Sequence, residues 1–73
     1  MGETTYTFRV EGMHCGSCGM LVDDTLEELD GVFSTRTSVR AATSTVRADP
    51  QRCLPEDVVA AIAELGYQAS LNP

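Results

Sequence analysis

The strongest constraint on this chain is a change of hydrophobic period that occurs twice along it. In "TYTFRVEG", Tyr6, Phe8 and Val10 alternate with Thr5, Thr7 and Arg9, the period-two pattern of a half-buried strand. In "CGMLVDDTLEELDG" the period lengthens. Cys18, Leu21, Val22, Leu26 and Leu29 fall on one side of a helix, with Asp23, Asp24, Glu27, Glu28 and Asp30 turned largely to water. Gly31 stands where a left-handed helix stop belongs. "VFSTRTSVRAATSTVRADP" returns to weak alternation through Phe33, Thr35, Thr37 and Val39, then Ser44 and Val46. It reads as two strands joined by a turn around Arg40 to Thr43, with no Gly to fix the register. Asp49-Pro50 closes the second of them. "LPEDVVAAIAELG" is a second helix, with Pro55 at its first position, Glu56 and Asp57 at its positive end and Gly66 at its stop. Val58 or Val59, Ile62 and Leu65 form its apolar stripe, and "YQASL" is a last short strand.

The element order is βαββαβ. It predicts an α+β, ferredoxin-like sandwich: a four-stranded antiparallel sheet with both helices on one face, as a single domain over residues 1–73. Each right-handed crossover skips one strand position, which the other half fills. This topology places the loop holding Cys15 and Cys18 at one end and the "DPQRC" connection at the other. Tyr67, at the joint between second helix and last strand, returns to the cysteine-loop end. Cys53 does not.

Seventy-three residues, 42% of them hydrophobic, suffice for one small core, so a metal is not needed for folding. No apolar run approaches the roughly 18 residues that cross a bilayer. "MGETTYTFRV" lacks the basic start and apolar block of a secretion signal, and Tyr6 stands where a myristoylation signal needs Ser or Thr. The expectation is a cytosolic protein that does not itself span a membrane. Five arginines, no lysine and eleven acids give a net charge of −6. Such a surface disfavours nucleic acid and anionic membranes, and suits a basic partner or cations.

Chemistry concentrates in "EGMHCGSCGM". Three cysteines do not make a disulfide framework, and in a reducing compartment a close pair points to metal binding or catalysis. Cys18 is expected to begin the helix, where the dipole favours a thiolate, with Cys15 more exposed in the loop. A thioredoxin-type redox pair is the competing reading. It is disfavoured by His14 before the first cysteine, Gly16-Ser17 between the pair, and the absence of Trp. A closed structural zinc site needs four ligands, and one pair plus a distant Cys53 does not supply them. Two thiolates in a reachable loop instead suit Cu(I), which tolerates low coordination and passes from one sulfur pair to another. Met20 is expected to pack rather than ligate, and Cys53 to be a small buried residue.

"GMHCGSC" is similar to the Gly-Met-X-Cys-X-X-Cys signature of the heavy-metal-associated domain family. The resemblance extends over nearly the whole chain, through "LDGV", "VRADP" and "LGY". It implies a copper chaperone, or the amino-terminal regulatory or acceptor domain of a copper-transporting P-type ATPase, and a carrier rather than an enzyme. It implies Cys15 and Cys18 as ligands of Cu(I), Met13 as a hydrophobic anchor under the loop, and Tyr67 as an aromatic shielding the site. His14 is expected to face solvent or tune the site. Because relatives selective for zinc carry an acid where His14 stands, Cu(I) is favoured over Zn(II) or Cd(II). Mercury-scavenging relatives are periplasmic. The implied partner is a copper-transporting P-type ATPase or its metal-binding domain, with a homodimer bridged by a shared ion left open. Thr35, Thr37 and Ser44 depart from the family's Val and Ala, and imply a less apolar core.

Overall fold

The computed structural model describes residues 2–14 and 16–72. Their elements run in the expected order: β1 (Thr4–Glu11), α1 (Gly16–Glu27), β2 (Val32–Ser38), β3 (Thr43–Ala48), α2 (Pro55–Glu64) and β4 (Gln68–Leu71). The four strands form one antiparallel sheet in the order β2-β3-β1-β4. Each strand–helix–strand crossover therefore leaps one neighbour. Phe8 and Val10 from β1, Val46 and Ala48 from β3, Val22 and Leu26 from α1, and Val58 and Ile62 from α2 form the core. Val58, not Val59, takes the buried position on α2, and Val59 is half-buried at its side. Asp57 closes the amino end of α2 by accepting the Leu54 N–H at 3.1 Å.

Three expectations are corrected. Leu21 is exposed: successive helical residues stand about 100° apart, and the buried stripe of α1 is Gly19, Val22 and Leu26. Phe33 is 56% exposed. The β2–β3 pairing slips between Val32↔Ala48 and Ser34↔Arg47, so Phe33 is the extra residue of a bulge. Val32 packs against the core instead. The turn between β2 and β3 occupies residues 39–42, one residue earlier than expected. Ala42 takes the left-handed conformation there, at φ 56°, that a glycine would have marked.

A fourth departure concerns Asp23, expected to face water. Its Oδ1 accepts hydrogen bonds from the hydroxyls of Thr37 at 2.6 Å and Thr35 at 3.0 Å, and its Oδ2 from the Thr37 N–H at 3.4 Å. Since Thr37 gives its one hydroxyl proton to Asp23, the Ser44 hydroxyl, fully buried, must donate to Thr37 Oγ1 at 3.0 Å. The polar residues at inward strand positions are thus a chain of hydrogen bonds ending on a helix carboxylate. Among the described residues no buried side-chain nitrogen or oxygen lacks a partner.

Two measurements check this account. Ala42→Gly relieves left-handed strain of about 1 kcal/mol, and in a domain of this size thermal unfolding should rise by about 4–8 °C per kcal/mol. Asp23→Ala strands the Thr37 N–H and removes a charged acceptor, a loss of about 1–3 kcal/mol in denaturant unfolding. Asp23→Asn should recover part of it.

Candidate metal centre

The loop carrying the cysteine motif leaves the central strand at Glu11 and enters α1 at Gly16. Gly12 makes the turn, with φ 105°. A Cβ there would stand 3.1 Å from Cδ1 of Tyr67, so the ring of Tyr67 lies directly on the start of the loop. Any side chain at residue 12 would be strained by its backbone and would press on that ring. Met13 is half-buried against the core, and His14 is exposed. Cys15 lies outside the described residues. Gly16 and Ser17 are exposed, and Cys18 is half-buried.

Cys18 is the third residue of α1 rather than its first, since the helix opens at Gly16. That still keeps it in the first turn, at the positive end of the helix dipole. No acid occupies that turn; Asp23 is the first acid along the helix. Met20, expected to pack, is instead 68% exposed, as is the neighbouring Leu21 at 46%.

What seats this helix end is Gly19, which sequence reading passed over. A Cβ at Gly19 would lie 3.0 Å from Val39 Cγ2 and 3.6 Å from the Thr37 carbonyl oxygen. Hydrogen at that position lets α1 lie close on the end of β2, one turn before Asp23 hooks the same strand. A glycine inside a helix, where it costs about 1 kcal/mol against alanine, was the signal of close approach. Among the described residues no three His, Cys, Asp or Glu side chains converge as a metal cluster.

Cys53 lies away from this loop. It is 1% exposed, and a Cβ at Gly31, beyond the carboxyl end of α1, would stand 3.2 Å from its own Cβ. It helps line a groove with Thr25, Leu29, Asp30 and Ala61. α1 has 12 residues, so roughly 18 Å of helix runs between its two ends. Burial raises the Cys53 pKa above that of an ordinary thiol, and the carboxylates of Asp57 and then Asp30 raise it further.

Comparison with known proteins follows the same lines. The family model described as the heavy-metal-associated domain matches residues 7–68. The copper chaperone CopZ of Bacillus subtilis (strain 168) is 33% identical over 64 residues, covering 88% of this chain and 93% of that protein. Copper-transporting ATPase 2 of Homo sapiens is 32% identical over 68 residues, covering 93% of this chain. The chain spans only 5% of that ATPase's length. The crystal structure of a copper-binding domain from HMA7, a P-type ATPase, superposes with a TM-score of 0.92 at 26% identity, over 94% of this chain and 93% of the other. No helix among the described residues is long and apolar enough to cross a membrane.

The raised Cys53 pKa gives a signed pH dependence. Above about pH 8.5 the unfolded thiol ionises while the folded one keeps its proton, so the unfolded state binds fewer protons and stability falls as pH rises. Denaturant unfolding from about pH 7 to 10 should therefore show a steeper alkaline decline in the parent than in Cys53→Ala. Parallel declines would contradict the assignment.

Proposed function

The chain belongs to the heavy-metal-associated domain family, and we propose that it carries Cu(I) on the thiolates of Cys15 and Cys18 and passes the ion to a matching CxxC domain. The observation carrying this reading is the place of Cys18, in the first turn of α1 at the end of an exposed loop. Cys15 precedes it by three residues, a spacing that lets both sulfurs reach one ion. The positive end of the helix dipole favours the thiolate, which is the form that binds soft metals. The position just before the first cysteine is His14 rather than an acid, and no acid lies in the first helical turn, so no carboxylate adjoins the pair to favour Zn(II) over Cu(I). The copper named in the descriptions of the chaperone and ATPase relatives points the same way.

Transfer proceeds by exchange. An acceptor thiol gives up its proton and its sulfur bonds to the ion, which becomes three-coordinate. One sulfur of this chain then departs and takes a proton from water. The acceptor's second thiol then gives up its proton and bonds to the ion, the remaining sulfur of this chain departs and takes a proton from water, and copper stays in the +1 state throughout. Met13, packed beneath the loop, anchors it, and Tyr67 covers its base. The protein is a carrier and not a catalyst. Its partner is a copper-transporting P-type ATPase or the metal-binding domain of one, with a basic docking surface to meet the net charge of −6. A second reading, as a metal-binding domain within such an ATPase, is favoured by the 93% coverage of this chain against 5% of the human protein. The thiolate chemistry is the same in both.

Anaerobic Cu(I) competition titration tests the proposal. Cys15→Ser and Cys18→Ser should each abolish tight binding, Cys53→Ser should leave it intact, and Tyr67→Ala should weaken it by about 10–100-fold. Equal losses at all three cysteines would refute the ligand pair. X-ray absorption of the loaded protein should show sulfur neighbours, and oxygen and nitrogen alone would end the reading. One ion per chain separates a monomeric carrier from an ion shared by two chains.

A further inference from the structure

The amino half of α1 rests on the end of β2 along one stripe of the helix. Gly19 and Asp23 stand four residues apart and so share a face. Gly19 comes close to Val39 and to the Thr37 carbonyl, and one turn later Asp23 accepts hydrogen bonds from Thr37 and Thr35. These bonds have directions that the apolar contacts of the same helix lack. Val22 and Leu26 are buried on either side of Asp23, but the gain from burial scales with area and has no direction. Gly19 has no side chain to lodge, and Met20 and Leu21 lie on the surface. Apolar packing therefore keeps α1 on the sheet, while the carboxylate sets its rotation about its own axis.

The strand side of this contact is itself held. The Thr37 hydroxyl accepts from the fully buried Ser44 hydroxyl at 3.0 Å, which directs its own proton to Asp23 at 2.6 Å. Ser44 belongs to β3, an inner strand paired with both β1 and β2. A chain of hydrogen bonds thus runs from inside the sheet to the helix, and it meets α1 five residues beyond Cys18. A helix with its side chains is about 10–12 Å across, so a roll of about 10° carries a side-chain tip about 1 Å. Metal–ligand distances tolerate about 0.2 Å.

We propose that Asp23 is a positioning residue for the metal centre: by hooking Thr35 and Thr37 it fixes the roll of α1 on β2, and with it the place of the Cys18 sulfur. This role rests on the reading of Cys18 as a Cu(I) ligand. Asp23 is engaged by the strand and acts on the centre through the helix that carries Cys18.

The test compares four variants of the 73-residue chain with the parent, by anaerobic Cu(I) competition and, without metal, by amide hydrogen exchange. Asp23→Ala should weaken Cu(I) binding about tenfold, and Asp23→Asn and Thr35→Val should each weaken it by less. Thr35→Val keeps the carboxylate and its charge, so its loss reports geometry. Ile62→Val, a change in the buried face of α2, should lower the unfolding midpoint yet bind copper like the parent. In the metal-free protein the amides of residues 20–22, the first that α1 bonds internally, should exchange faster in Asp23→Ala relative to those of α2. In Ile62→Val both helices should quicken together. Tight parental binding left unchanged by Asp23→Ala would overturn the inference. So would an equal loss in Ile62→Val, a uniform rise in exchange in Asp23→Ala, or a full loss in Asp23→Asn with none in Thr35→Val, which would assign the effect to charge. A parent that takes up no Cu(I) would instead end the carrier reading, and this role with it.

Discussion

Everything in this fold is referred to β1. It lies inside the sheet between β3 and β4, and its Phe8 and Val10 meet residues of both helices in the core. Burying such side chains contributes about 2–3 kcal/mol each, and their alternation leaves no freedom to shift by one residue. The cysteine loop springs from the end of this most constrained strand. A loop hung on the most fixed element has its base held in place.

The other end of the loop is fixed by different means. α1 rests on β2, an edge strand, through a hydrogen-sized contact at Gly19 and a carboxylate hook at Asp23. Both lie within five residues of Cys18. The helix end is thus held by close backbone approach and directed hydrogen bonds rather than by bulk. The apolar residues nearest Cys18 along the helix, Met20 and Leu21, are left on the surface.

Element order, the stop of α2 at Gly66 and the placement of Tyr67 and Cys53 were legible because they follow from hydrophobic period and chain topology, whereas α1 ends at Glu27, four residues before the glycine expected to stop it. The bulge at Phe33 was not, since a strand of Thr, Ser and Val holds too little hydrophobic contrast to reveal a one-residue slip. The Asp23 hook was hidden for a related reason. An acid at the margin of an amphipathic helix reads as solvated, and only the inward Thr35, Thr37 and Ser44 hint that something polar must meet them. The left-handed Ala42 was invisible because the residue that signals such a turn, glycine, is missing. Of the site itself, the spacing of Cys15 and Cys18 was plain, whereas the contacts that seat the loop, Tyr67 on Gly12 and Val39 on Gly19, join residues far apart in the chain.

The two described cysteines stand in opposite environments at the two ends of α1. Cys18 and Cys53 carry the same group, in the first turn of α1 and near that helix's far end. Cys18 is only half-buried, at a positive helix end with no acid in its turn. Cys53 is sealed in the core, and burial, Asp57 and Asp30 all oppose its ionisation. A thiol kept protonated is a packing group, neither a ligand nor a nucleophile. Two thiolates within one core-bound cluster would tie folding to metal. Instead the core closes over Cys53 while Cys18 stays outside it, in the first turn of α1, so the packing of the core does not depend on that thiol.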